Sequence, residues 1–384
     1  MHNQLYTEDK FSWAGLKRAA VAQGRPVIGL APMDSVTDVS YRKIQAIYGR
    51  PDVTFTEFIP VEGVVRLSPR LLRDFWYNEE ERPVIAQIYG NDPDLFYTSA
   101  QLVCELGFDG VDINMGCPAK SVVHRGCGAA LINTPDLAVD IIKAVQAAVR
   151  DWAESGINWS KWQLLTTGKA KRLLKEFVES SKLKGIYQQP VQRRLIPVSV
   201  KTRIGFSMPV TEDWIGNLLG TGVELISVHG RTLKQMYTGL ADWSEIAKAV
   251  QVRDKIAPAT VIFGNGDIKS AQSALELQEI SKVDGLLIGR ATYGNPWIFE
   301  EIRQAFAGDT TTSYMPEKEE LFKVMLEHAR YHEHFKDPGE YPQMRKNLAW
   351  YISGWDGAAR LRARLVVSKD SDEVEKVLAE YLLA

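Results

Sequence analysis

Eight short apolar runs rich in Val and Ile recur along this chain, and they constrain its fold more than any other feature. They are VIGLAPM (27–33), TFTEF (54–58), PVIAQIYG (83–90), GVDINMGC (110–117), IPVSVKTRIG (196–205), ELISVHGR (224–231), TVIFGNGDI (260–268) and GLLIGRA (285–291). Runs this continuously apolar suit parallel strands covered by helices on their faces. Helical stretches separate several of them, such as DLFYTSAQLVCELG (94–107) and LAVDIIKAVQAAV (137–149). Strand and helix alternating eight times predict a (β/α)8 TIM barrel. A doubly wound open sheet is disfavoured, because no GxGxxG follows the first run.

The strand starts lie 27, 29, 27, 86, 28, 36 and 25 residues apart. One helix with its loops needs about 30 residues in a βαβ unit, so the fourth unit carries an insertion near 151–195. The inserted segment holds nine Lys and Arg against four Asp and Glu, with Trp152, Trp159 and Trp162. Residues 169–182 within it have amphipathic helical spacing. Strand runs cease after the eighth, and 317–335, 341–355 and 371–383 read as helices. The expected organisation is a barrel over 1–310 and a helical domain over 311–384.

Composition narrows the classes. With 45% hydrophobic and 24% charged residues, wholesale disorder is excluded. No apolar run approaches the ~18–20 residues of a membrane span, and no leader is expected from the first residues. Three cysteines make no disulfide framework, which points to a reducing cytoplasmic setting. Lys and Arg number 46 against 48 Asp and Glu, so any nucleic-acid surface must be local.

Barrel enzymes work at the C-terminal ends of their strands. Those ends supply Pro32, Met33, Asp34, Gln87, Asn114, Cys117, Lys201, Arg203, His229, Arg231, Asn265, Gly266, Asp267, Gly289 and Arg290. The Gly turns after strands seven and eight suit a phosphate held by backbone N–H groups, or serve only as tight turns. An ammonium at Lys201 inside an apolar strand calls for an anionic partner. Cys117 has no adjacent charge that would force a thiolate, so with a pKa near ~8.5 it can donate a proton. Cys104 reads as core, and Cys127 suits either core or site. His328 and His332 are four apart, but HExxH is absent, so no metal site is expected and a solvated helix face is. Residues 341–369 carry six bases, Arg345 and Lys346 among them, interleaved with Trp350, Tyr351 and Trp355. That pattern suits RNA contact or a solvated surface over a packed core.

Taken in order, APMDSVTDVSYR (31–42), AQIYG (86–90), VDINMGCPAKSVVHRGCGAALI (111–132), VSVKTRIG (198–205), VHGRT (228–232), FGNGDI (263–268), LIGRATYGNPWIF (287–299) and MRKNLAWYISG (344–354) resemble the tRNA-dihydrouridine synthases. The resemblance implies an FMN barrel with a C-terminal helical RNA-binding domain. It implies reduction of the C5=C6 bond of specific uridines in tRNA, with NADPH as reductant. It assigns Cys117 as proton donor and Asn114 near the uracil. It assigns Pro32, Met33, Asp34, Gln87, Lys201, His229, Asn265, Gly266, Asp267, Gly289 and Arg290 to FMN, and Arg345 and Lys346 to the RNA side. Two features depart from the family pattern: the 151–195 insertion, and Asn347, which stands where many members have His. Two rival readings are an FMN barrel acting on a free pyrimidine and a tRNA-binding chaperone without activity.

Overall fold

The computed structural model describes residues 11–382, apart from 163, 310–313, 315, 353, 354 and 356. The start of the chain, read for a leader, falls largely outside them. Eight parallel strands follow one another round a barrel: β1 (Val27–Leu30), β2 (Thr54–Pro60), β3 (Val84–Tyr89), β4 (Gly110–Met115), β5 (Val198–Arg203), β6 (Leu225–His229), β7 (Val261–Asn265) and β8 (Gly285–Ile288). Ladder pairing runs β1-β8-β7-β6-β5-β4-β3-β2. The seam between β1 and β2 closes through a Gly29–Val53 bridge and the Leu30 N–H to Val53 carbonyl bond at 2.9 Å. Gly29 permits that approach, since a Cβ there would lie 2.8 Å from Val53 Cγ1.

A period of two decides what faces the barrel axis. At the N-terminal end the inward residues are apolar: Val27, Phe55, Ile85, Leu225, Val261, Phe263 and Leu287 form one buried cluster. The helix Trp13–Val21 plugs this end, with Trp13 stacked on Phe55 at 6.0 Å and edge-on to Phe263. Ser12 caps it by accepting from the Gly15 N–H. Higher up the inward positions turn polar: Gln87, Asp112, Ser199 and Ser227 are fully buried. The barrel therefore has a dry floor, a polar middle and an open upper mouth.

The insertion forms part of the barrel's outer wall. After the helix Pro135–Ser155, the chain climbs along the helix Pro93–Glu105: the Asn158 N–H donates to Gln101 Oε1, and Thr98 Oγ1 donates to the Lys161 carbonyl. The insertion helix Thr167–Lys182 then buries Ala170, Leu174 and Phe177 against the β2–β3 connection. Two indoles fasten it, Trp162 Nε1 to the Val65 carbonyl and Trp76 Nε1 to Ser181 Oγ.

Beyond the barrel lie the helices Lys318–Phe335, Met344–Tyr351, Ala358–Leu365 and Ser371–Leu382. They share a second core built from Met325, Met344, Leu348, Leu361 and Leu365, with Ile44 and Trp297 contributed by the barrel side. The helix expected over 341–355 is shorter. Pro342 lies in a preceding 3-10 turn, and the chain leaves helical geometry at Ile352. The expectation of a solvated face for His328 and His332 is corrected. Both rings are buried, His328 beside the Tyr351 hydroxyl and His332 3.7 Å from Asp38 Oδ2. That face packs on the helix Val39–Ile44, so the two imidazoles belong to the barrel–helix contact.

Beside this contact the half-buried Glu57 of β2 feels the charges of Asp38, Asp74, Lys336 and Arg42. Burial, reinforced by the two carboxylates, pushes Glu57 up to about 8.

Candidate active site

Pro32, Met33, Asp34, Gln87, Asn114, Cys117, Lys201, His229, Asn265, Gly266, Asp267, Gly289 and Arg290 line one cavity of about 1020 Å³ at the strand C-termini. Arg345 and Lys346 do not. Arg345 Nε donates to the Ser368 carbonyl at 3.1 Å, and Lys346 Nζ donates to the Ser35 carbonyl at the rim.

The cavity floor is a continuous hydrogen-bonded chain. Ser199 Oγ donates to Asp112 Oδ1 at 2.6 Å, and Gln87 Nε2 donates to Asp112 Oδ2 at 2.6 Å. Asn114 Nδ2 donates to Gln87 Oε1 at 2.8 Å. Asn114 Oδ1 in turn accepts from the backbone N–H groups of Gly116 and Cys117, at 3.0 and 2.8 Å. The β4 amide therefore fixes the turn that presents the thiol. Burial pushes Asp112 up to about 6, against the lowering effect of its Ser199 and Gln87 hydrogen bonds. From the next strand, Arg203 Nε donates to the Gly116 carbonyl at 2.7 Å and braces the same turn.

Cys117 is buried beside Tyr89, Val122 and Cys127. Burial, the largest influence, holds its pKa above the ordinary thiol value, so the sulfur keeps its proton at neutral pH. Cys127 packs under the thiol loop and is no part of the cavity wall, while Cys104 lies in the barrel core as expected.

Lys201 pairs with Asn114 across the β4–β5 ladder. Its ammonium makes no hydrogen bond or ion pair among the described residues. Burial lowers it to about 8, and Arg203 adds to the effect. His229 is held well below its ordinary value by burial first, then by Lys201, Arg203, Arg231 and Arg290. Its Nε2 lies 3.2 Å from Arg231 Nη1. A guanidinium only donates, so Nε2 accepts and the ring proton resides on Nδ1. Asp267 stands at φ 56°, its carboxylate taken by Arg231 at 2.6 Å, Arg290 at 3.3 Å and the Ala241 N–H. It organises two guanidinium groups at the rim. Gly266 has φ 122°, and a Cβ there would fall 2.8 Å from Ala241 Cβ, so only glycine fits this turn.

A half-buried ammonium without an ion pair among the described residues, a neutral imidazole, glycine turns and a row of arginines would suit an anion with a phosphate and a planar ring system. Arg203 and Arg231 were readable as inward residues, since each follows Lys201 or His229 by two. Tyr237 and Tyr293 also line the cavity, and they come from loops that no periodicity singles out.

The aromatic pattern of 341–369 resolves into packing. Trp350 stacks on Tyr293 at 3.9 Å, Tyr351 is buried, and Trp355 Nε1 donates to the Tyr381 hydroxyl. Asn347 is buried too, its Nδ2 3.7 Å from Met344 Sδ. Among the described residues no helix is long and apolar enough to cross a membrane.

The family model described as dihydrouridine synthase matches residues 29–154 and 178–383. The unmatched stretch, 155–177, falls within the insertion. A Bacillus subtilis protein named probable tRNA-dihydrouridine synthase 2 is 30% identical over 362 residues, 93% of this chain and 94% of that protein. A Staphylococcus aureus probable tRNA-dihydrouridine synthase is 30% identical over 365 residues, 93% of each. A crystallised DHODH from Eimeria tenella, in complex with ferulenol, covers 72% of this chain and 79% of its own at 15% identity, with a TM-score of 0.45. With a thiol-bearing β4 turn and a family match spanning nearly the whole barrel and the helices after it, this chain belongs to the dihydrouridine synthase family.

Proposed function

We propose that this chain reduces the C5=C6 bond of uridines in tRNA to 5,6-dihydrouridine, with FMN as bound cofactor and NADPH as reductant. One observation carries the reading. A protonated thiol at Cys117 and an unpaired ammonium at Lys201 border the same cavity, from neighbouring strands paired in register. The cofactor supplies hydride when bound. Lys201, Gln87 and His229 would hold its ring system, and Met33, Pro32 and Asp34 would border it. Asn265, Gly266, Asp267, Gly289 and Arg290 would hold its phosphate.

The rest of the chemistry belongs to the chain. Uracil C5 lies conjugated to the C4 carbonyl and gathers electron density as C6 accepts hydride. Cys117 Sγ holds the proton that C5 takes, and burial keeps that proton in place until it is needed. Asn114 and Arg203 fix the turn, so the thiol needs little reorganisation. A uridine must leave its stack to reach the mouth, as for other enzymes acting on bases.

On this reading the barrel over 1–310 does the chemistry and 311–384 is an RNA-binding unit whose Arg345 and Lys346 sit on the RNA side. A cytoplasmic setting accords with three unpaired cysteines. The test is incubation of purified protein with NADPH and tRNA lacking dihydrouridine, followed by nucleoside mass spectrometry. Dihydrouridine should form in tRNA, and free uracil should not be reduced to dihydrouracil. Reduction of free uracil with tRNA untouched would reject the reading.

A further inference from the structure

The insertion helix has a built underside and a cationic outside. Its underside buries Ala170, Leu174, Phe177 and Ser181, a stripe at helical spacing. Lys169, Lys171 and Lys182 face solvent, and none has a carboxylate within ion-pair distance among the described residues. By contrast Arg172 and Lys175 are paired with Glu176 and Glu179. The unpaired lysines span ~20 Å of helix axis at 1.5 Å per residue.

A chain of contacts links this helix to the thiol loop. Arg125, eight residues after Cys117, lies 3.7 Å from Glu62 in the helix Val61–Val65. The last residue of that helix, Val65, accepts from Trp162 Nε1 at 2.6 Å. Trp162 stacks on Trp159 at 5.3 Å, and the Lys171 ammonium sits 5.5 Å over Trp159. The exposed Arg66 follows Val65 directly and is also without an ion pair among the described residues. Lys161, between the two indoles' positions in the chain, stands 3.9 Å from Asp94, in the first turn of the helix that leaves β3 at the mouth side.

We infer that the insertion is an RNA-binding element: Arg66, Lys169, Lys171 and Lys182 take phosphates of the tRNA whose uridine enters the mouth. The inference rests on the tRNA reading above and adds a second contact region, apart from the helices after the barrel. Ammonium groups without a carboxylate partner on a packed helix suit phosphates, which are bound through charge and the release of counterions. An acidic protein partner would meet the same charges, and that occupant is an outcome of the test.

Because the insertion helix shares the barrel's core, deletion would remove Leu174 and Phe177 from that core and leave the Trp76 indole without its Ser181 acceptor. Surface substitutions avoid that. The triple variant Lys169→Gln, Lys171→Gln, Lys182→Gln should bind unmodified tRNA transcript about tenfold or more weakly near 0.1 M salt. The slope of log affinity against log salt should flatten by roughly 2–3, at about 0.7–0.9 for each phosphate no longer neutralised. Flavin content and melting midpoint serve as folding controls and should match the parent. Unchanged affinity and slope, with the parent forming dihydrouridine, would overturn the inference and leave the tRNA reading standing; the lysines would then face a protein or only water. A parent that neither binds tRNA nor forms dihydrouridine would sink the reading and the RNA-binding element together.

Discussion

The backbone N–H of Cys117 donates to Asn114 Oδ1 at 2.8 Å, so the last inward side chain of β4 sets the position of the thiol that follows it. Asn114→Ala leaves two buried N–H groups, those of Gly116 and Cys117, without an acceptor. The expected cost is about 1–3 kcal/mol in stability. Uridine reduction should fall further than flavin binding, because the turn moves while the glycine loops do not. Denaturant melts beside single-turnover assays check both halves.

Cys117→Ala removes the proton held for C5. Flavin content and the rate of flavin reduction by NADPH should stay near the parent's, while dihydrouridine formation drops about 10²-fold or more. Cys104→Ala, a core change on the helix Pro93–Glu105, should leave dihydrouridine formation intact apart from lower stability. Full turnover by the Cys117 variant would remove the thiol from the mechanism.

Lys201 gives a pH signature. Its folded value of about 8 lies below the ordinary 10.5, so between these values the unfolded chain binds more protons than the folded one. Stability of the flavin-free protein should therefore gain from this group as pH rises through that window. Flavin affinity should move the other way, weakening above about pH 8 as the ammonium loses its charge. Lys201→Met should bind flavin poorly at neutral pH and lose both trends. The difference between parent and variant melts, taken across pH 7–10.5, isolates Lys201 from other titrating groups.

Glu57 has the opposite sense. Held near 8 against an ordinary 4.5, it keeps a proton in the fold that the unfolded chain releases. Its contribution should make stability fall as pH rises from about 4.5 to 8. Glu57→Gln keeps the shape and removes the titration, so the melting midpoint should decline less over that range. Identical pH profiles for the two proteins would contradict the half-buried, carboxylate-influenced setting of Glu57.

Much of this was legible in the chain because the barrel repeats. Alternation along each strand selects Gln87, Asn114, Lys201 and His229 together, and their shared cavity follows from closure. The N-terminal plug was not legible: Trp13–Val21 is nine residues long and gains its meaning only from Phe55 and Phe263 above it. The burial of His328 and His332 escaped for a related reason. Their spacing describes a helix face, but only the helix Val39–Ile44, far earlier in the chain, covers it. For Trp350 and Tyr351 the chain leaves RNA contact and a surface over a packed core equally open, and only the packing with Tyr293 and His328 decides.

The near-parallel stack of Trp350 on Tyr293, 9° between planes, has a mechanical reading. Gly294 presses under it so closely that a Cβ would lie 2.3 Å from the Trp350 carbonyl oxygen, and Lys346 grips the Ser35 carbonyl in the neighbouring loop after β1. The later helices are thus clamped to loops that border the cavity, and the two bodies act like the jaws of a fixed gauge. A polymer resting on one jaw can offer the other only a segment at a set reach. On the proposed tRNA reading, the choice of uridine would then be a measurement of length rather than a reading of the letters in between.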